Sequence, residues 1–270
     1  MQNLFPACQR RHSAETIKCH QAAIGRVIAV MKQNPSLKLD LSAMARTASM
    51  SPFHFLRVFE ELTRISPARF LAALRIERAK RLLLESSQSV TSVCFDVGYS
   101  SLGTFTRMFT EFVGVPPNAF RKLYDELRSG SFEKALFAYA PRQQRTNQRV
   151  VFKGYVDGPA TFRGFIFIGL FESAIPQRRP LAGTLLRNLG RFEFSGEVSD
   201  CKSYLLAAAF PFASQLDIYW LPRQSELLVA SAEICSSQVD AATRHMFDLD
   251  LRQLGAFDPP ILTALPLLVI

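Results

Sequence analysis

The sequence predicts a multidomain α + β chain: an N-terminal all-α tandem helix-turn-helix domain of about seven helices, followed by an all-β sandwich. Three observations carry that expectation. Between Leu41 and Phe120 the chain repeats itself, because Ser51, Phe55, Arg57, Phe59, Glu61, Pro67 and Phe70 recur at a spacing of 50 as Ser101, Phe105, Arg107, Phe109, Glu111, Pro117 and Phe120. A period of that length marks a duplicated supersecondary unit. From Val150 onward the helical periods give way to short β-rich runs separated by Gly, Pro, Asp and Ser. Charge divides at nearly the same place: residues 1–130 hold 18 Lys+Arg against 10 Asp+Glu, net +8, whereas residues 131–270 hold 14 against 13, net +1. A basic unit beside a near-neutral one separates a nucleic-acid binder from its companion. With 270 residues, 48% of them hydrophobic, there is ample core for two domains.

Residues 1–20 read as a polar N-terminal arm. Cys8, His12, Cys19 and His20 gather four potential metal ligands there. Cys19 and His20 are adjacent, however, and the spacing matches no familiar zinc module, so unrelated thiols and imidazoles are preferred to a metal site. No cofactor is expected. Ile24, Val27, Ile28 and Met31 then mark an amphipathic helix that ends near Asn34-Pro35.

The two repeated units span 40–64 and 89–114. Each has a short first helix, marked by Leu41, Met44, Ala45 and Ala48 in one and by Val90, Val93, Cys94 and Val97 in the other. A turn of three or so residues follows. The second helix carries the apolar stripe Phe55, Val58, Phe59 and Leu62, repeated as Phe105, Met108, Phe109 and Phe112, which leaves the opposite face free. Asp40 and Ser51 suit N-caps, Pro52 suits the first helical position, and Gly98 supplies a positive φ to close the preceding helix. Pro67 to Glu85 reads as the joining helix, apolar along Phe70, Leu71, Leu74, Ala79, Leu82 and Leu83, and basic elsewhere through Arg75, Arg78, Lys80 and Arg81. A final helix runs from Asn118 to about Leu127. Two units of this kind suit the reading of two successive major grooves.

The first unit, with Ser51-Pro52-Phe53-His54-Phe55-Leu56-Arg57-Val58-Phe59, Ser66-Pro67 and Arg75 to Ala79, resembles the first half of an AraC/XylS-family DNA-binding domain. Val93-Cys94, Gly98-Tyr99-Ser100-Ser101, Phe105-Thr106-Arg107-Met108-Phe109, Gly114-Val115-Pro116-Pro117 and Phe120-Arg121 resemble the second half more closely still. The likeness covers roughly residues 20 to 125, so 21–128 is taken as a homeodomain-like tandem helix-turn-helix domain. Arg64 departs from the family, which usually has glycine at that helix end.

The resemblance puts base contact on Phe53, Leu56 and Arg57, and on Leu102, Gly103, Thr106 and Arg107. The free faces add His54 and Thr104. Ser51, Ser100 and Ser101 lie at helix N-termini, where they either bind phosphate or simply cap the helix. Arg57 and Arg107 reach a guanine edge or a phosphate, unless Glu60, Glu61 and Glu111 hold them in ion pairs. Phe53 and Leu56 suit thymine methyl groups, or else touch the opening helix. Leu102 and Gly103 offer no polar side chain, so the second unit is expected to contribute more phosphate and shape readout than base discrimination.

Residues 129–149, centred on Pro141 to Arg149, read as a polar, basic linker. In the companion domain, 150–270, candidate strands are Val150 to Val156, Phe162 to Phe171, Arg191 to Phe194, Tyr204 to Phe210, Gln215 to Leu221, Leu227 to Ala232 and Phe247 to Leu251. Their strand grammar, as in Lys153-Gly154-Tyr155-Val156 and Gly164 to Phe171, is similar to transthyretin-like or carboxypeptidase-regulatory-like sandwiches. Phe165 to Phe171 either lines a pocket or fills a core.

The five scattered cysteines and the lack of a secretory pattern point to the cytoplasm. The apolar tail from Pro259 is too short to span a bilayer. An enzyme is not expected: the companion domain has one histidine, His245, and neither a G-x-S-x-G elbow nor an H-E-x-x-H pair. The expected function is a bacterial, sequence-specific transcriptional regulator whose partner is double-stranded DNA. RNA polymerase and a small-molecule effector are possible further partners, and monomer and homodimer stay open. The alternative is an architectural or weakly specific DNA binder whose β domain is a protein-interaction module.

Overall fold

The computed structural model describes residues 14–127, 150–176, 180–197, 203–212, 220–234 and 245–262. Seven helices fill its N-terminal part: α1 Ala14–Gln33, α2 Leu41–Ala48, α3 Pro52–Thr63, α4 Pro67–Glu85, α5 Val90–Asp96, α6 Leu102–Val113 and α7 Pro117–Leu127. The repeat, the joining helix and the closing helix stand where the periodicity puts them. The arm is corrected: α1 already begins at Ala14, but its buried face starts only at Ala23, so the opening turns show no apolar period. Cys8, His12 and the linker lie outside the described residues.

Both units turn through the same backbone device. Ser49 adopts φ 57° after α2, and the Met50 N–H donates to the Ala45 carbonyl at 3.0 Å. After α5, Gly98 adopts φ 90° and the Tyr99 N–H donates to the Cys94 carbonyl at 3.1 Å. A left-handed residue followed by this wide bond is the Schellman closure, which reverses the chain within three residues. The reading helices, α3 and α6, end alike at Arg64 (φ 64°) and Gly114 (φ 96°), whose N–H groups donate to Glu60 and Thr110. Arginine thus does occupy the position where the second copy has glycine. The left-handed conformation strains it by roughly 1–2 kcal/mol.

Phe55, Val58 and Phe59 of α3 and Phe105, Phe109 and Phe112 of α6 are buried, as the stripe requires. Each stripe meets the first turn of the next helix through aromatic edges. Phe59 lies 5.6 Å from Phe70 of α4, and Phe109 lies 5.6 Å from Phe120 of α7.

The joining helix corrects part of its expected basic side. Arg78 and Arg81 are exposed, but Arg75 is structural: its guanidinium donates to the carbonyls of Pro35 (2.8 Å) and Leu37 (3.0 Å) and lies over the Tyr99 ring. Lys80 is buried, 2% exposed, because the C-terminal part of the chain covers it.

That part is built from β1 Val150–Asp157, β2 Gly164–Phe171, β3 Ala182–Leu186, β4 Gly190–Gly196, β5 Ser203–Pro211, β6 Leu228–Ile234, β7 His245–Asp250 and β8 Arg252–Gln253. The strands form two sheets, ordered β4-β1-β7 and β3-β2-β5-β6-β8. β1 pairs antiparallel with β4 (Phe152 opposite Phe194) and parallel with β7, and the larger sheet is antiparallel throughout. Phe152, Phe194 and Leu249 from the small sheet share one core with Ile166, Ile168, Leu205 and Ala207 from the large one. Along β2, Ile166, Ile168 and Leu170 enter that core while Phe165, Phe167 and Phe171 lie on the other face, so the run does both things the sequence leaves open. The short β3 and β8 are unforeseen. The strand expected over Gln215 to Leu221 is corrected at its described end: Trp220 and Leu221 are not in a strand, and 213–219 lie outside the described residues.

Trp220 instead joins the helical core. It is 1% exposed, with its rings 5.3 Å from Phe120 and 5.7 Å from Tyr124, both edge-on. Beside it, Lys80 Nζ donates to the Leu262 carbonyl at 2.6 Å and sits 5.6 Å from the Phe120 ring centre. Burial pushes the Lys80 ammonium down to about 7, against a partial offset from Glu77. Among the described residues no helix is long and apolar enough to cross a membrane.

Three stability changes follow, each read by urea unfolding. A Cβ at Gly98 would lie 2.7 Å from the Ser36 carbonyl oxygen in a left-handed backbone, so Gly98→Ala is expected to cost about 2 kcal/mol or more. Arg64→Gly relieves strain and should stabilise by about 0.5–1 kcal/mol, the gain being cut by the greater freedom of the unfolded chain. Lys80 binds its proton more weakly folded than unfolded, so between its folded value of about 7 and the ordinary lysine value the unfolded chain holds more protons and stability rises with pH. Relative to Lys80→Met, the natural chain should gain about 2 kcal/mol from pH 7 to pH 9; no difference in pH slope would contradict this.

Candidate nucleic-acid interface

α3 and α6 each enter from a serine cap. Ser51 Oγ accepts from the His54 N–H and Ser101 Oγ accepts from the Thr104 N–H, both at 3.4 Å. These bonds realise the capping reading of both serines and leave their outer lone pairs accessible. Because each apolar stripe is fixed against the core, the opposite face is held outward.

None of the twelve residues singled out in the sequence is buried. Ser51, Phe53, Arg57, Ser100, Ser101, Leu102, Gly103, Thr104 and Arg107 are exposed, and His54, Leu56 and Thr106 are half-buried. Phe53 is 83% exposed, which removes contact with the opening helix as its explanation. His54 does touch that helix, with its ring 5.3 Å from the ring of His20. His20 is therefore turned toward the reading helix. Among the described residues no cluster of His, Cys, Asp and Glu has a metal-binding arrangement.

The two arginines differ. Arg57 Nη1 donates to Glu61 at 2.9 Å, and its Nη2 lies 3.4 Å from His54 Nδ1. The ion-pair alternative is thus realised for Arg57. The pair is half-exposed, and a helical i,i+4 pair of that kind contributes only about 0.3–0.5 kcal/mol, so a phosphate or guanine competes with it readily. Glu111 turns away from Arg107 to accept from Arg69 of α4 at 2.7 Å. Arg107 consequently has no ion-pair partner among the described residues. It lines a shallow open groove along α6 with Leu102, Gly103, Thr106, Thr110 and Gly114. Thr110 and Gly114 were missed by the sequence reading, although they continue the four-residue spacing that begins at Thr106. His20 had no signal, since contact between helices is invisible to periodicity.

The family model described as a helix-turn-helix domain matches residues 44–123. An uncharacterized HTH-type transcriptional regulator of Haemophilus influenzae is 34% identical over 96 residues, 36% of this chain and 32% of that protein. The MmsAB operon regulatory protein of Pseudomonas aeruginosa is 34% identical over 94 residues, 35% of this chain and 31% of that protein. The DNA-binding domain of AdpA, solved in complex with a target DNA, is 30% identical and covers 40% of this chain and 97% of its own, with a TM-score of 0.39. The chain spans about a third of the length of the first two relatives. Over residues 44–123, the chain carries a helix-turn-helix domain.

Proposed function

We propose that the chain is a sequence-specific DNA-binding transcriptional regulator, with α3 and α6 entering successive major grooves and the C-terminal β unit, a sandwich of the transthyretin-like kind, modulating occupancy as a sensing or association domain. The observation that carries this reading is the outward placement of both reading faces by one duplicated core. The capped N-termini of α3 and α6 present Ser51, Ser100 and Ser101 toward the phosphates, which orient the domain. Phe53 and Leu56 meet thymine methyl groups, Arg57 and Arg107 meet guanine edges or phosphates, and Thr104 and Thr106 supply short polar contacts, with His54 beside them. The cytoplasm is the setting this activity requires, and RNA polymerase is the partner that promoter binding brings close. A purely architectural role finds support in the apolar entrance of α6 at Leu102-Gly103, and the ratio of specific to non-specific affinity separates the two.

Fluorescence anisotropy against the DNA upstream of its own gene and against a shuffled control, over a salt series, tests the reading. Regulation predicts a preference of about a thousandfold or more. If random-sequence selection as well as the upstream DNA yields no preferred site, the architectural role takes its place; no binding at low salt removes both. Arg57→Ala and Arg107→Ala should each weaken binding by about 1–3 kcal/mol, selectively at one base position if the arginine reads a base and evenly across sequences if it meets phosphate. Phe53→Ala should weaken DNA binding while shifting unfolding stability by less than about 0.5 kcal/mol, because its ring buries little in the free protein.

A further inference from the structure

The outer face of the five-stranded sheet is not left to solvent. The segment Arg252–Leu262 crosses it, and between the two lies a cavity of about 80 Å³. Phe167, Phe171, Leu206 and Phe210 form the floor, and Leu254 and Ile261 form the roof. The roof is pinned along its length. Arg252 makes two bonds to the Asp258 carboxylate, which also accepts from the Gly255 N–H at 2.6 Å, and the Ile261 N–H donates to Gln224 Oε1 at 3.2 Å. The next carbonyl, that of Leu262, is the one held by Lys80 of the joining helix.

We propose that this cavity binds a small, uncharged, apolar molecule and that the roof segment transmits its occupancy to α4 through Leu262 and Lys80, a proposal that rests on the reading of the β unit as a sensing domain. The size admits a short chain or the edge of a single ring, with the rest of the molecule lying in the open mouth. Well-packed interiors hold few voids larger than a water molecule, and an apolar cavity excludes water and accepts hydrocarbon. Charge selects against an anionic ligand. The two charged groups at the mouth, Arg252 and Asp258, pair with each other, so a ligand carboxylate would have to draw Arg252 away from the half-buried Asp258 and weaken that pair. The coupling is equally local. A molecule wedged between floor and roof bears on Ile261, one residue from the carbonyl that caps a buried ammonium with no carboxylate in ion-pair contact among the described residues. That ammonium belongs to the helix that sets the separation of α3 and α6.

The full chain should be titrated with toluene in sealed cells, following its melting temperature and the emission of Trp220, the chain's one tryptophan, which lies in the contact between the two units. Saturable binding raises the melting temperature, and transmission changes Trp220 emission over the same concentration range. Ala208→Phe, which fills the cavity from its wall, should abolish both effects. Ser231→Leu, at an exposed position on the same wall, serves if the larger change prevents folding, and should weaken toluene at least tenfold. Benzoate should bind at least tenfold more weakly than toluene. Absence of a saturable response, an equal response in the filled variants, or benzoate binding as well as toluene would overturn the site. A melting shift without a Trp220 response would overturn the transmission. None of these readouts involves DNA, so their failure is separate from failure of the anisotropy experiment.

Discussion

Orientation of the two reading helices depends on a chain of aromatic edges. In each unit, two rings one turn apart on the reading helix, Phe55 and Phe59 or Phe105 and Phe109, pack in series against a phenylalanine in the first turn of the next helix, Phe70 or Phe120. Such contacts contribute roughly 0.5–1.5 kcal/mol each beyond their buried area. Their larger consequence is geometric. With three rings fixed, a rotation of α3 or α6 about its axis breaks the series, so the outward face is specified as firmly as the inward one.

The duplication is symmetric in this core and unequal everywhere the chain meets something else. In the second unit the aromatic series continues from Phe120 to Trp220, whereas among the described residues Phe70 ends it in the first. Glu111 is drawn off to Arg69, while Glu61 stays with Arg57. Among the described residues, the second unit therefore has its ring series joined to the β unit and its arginine without an ion-pair partner, and the first has a self-contained ring series and a paired arginine. Left-handed closures follow the same division: Gly98 and Gly114 in the second copy, Ser49 and Arg64 in the first.

The helical domain was legible because its local signals agree. A serine cap, a period of 3.6 and a repeat at 50 residues all mark the same boundaries, and the candidate contact residues left off the apolar stripes, with the serines that precede each reading helix, are exposed or half-buried. What was illegible depends on partners far along the chain. Lys80 reads as one more cation on a basic helix until Leu262 covers it, and Trp220 reads as part of an apolar run until Phe120 and Tyr124 surround it. His20 meets His54 only because α1 crosses α3. In the β unit, alternation marks β1 and a continuous apolar run marks β2, which is buried on both faces, whereas β3 is a short Ala-Gly-Thr-Leu-Leu edge that carries neither signal.

Those long-range contacts converge on α4. Its N-terminal turn carries Phe70 and Arg69, which reach α3 and α6, its middle carries Arg75, which fixes the Pro35–Leu37 loop and Tyr99, and its C-terminal half carries Lys80 under the β unit. A helix with a single exposed stripe would have been enough to space two reading helices. Burying an ammonium on it, with a carbonyl and a ring as its neighbours, works against stability. The same arrangement makes the second unit's environment depend on where the C-terminal segment lies, because removing Leu262 leaves Lys80 to find water or another acceptor. A hydrophobic residue at that position would have joined the two parts more firmly and coupled them less.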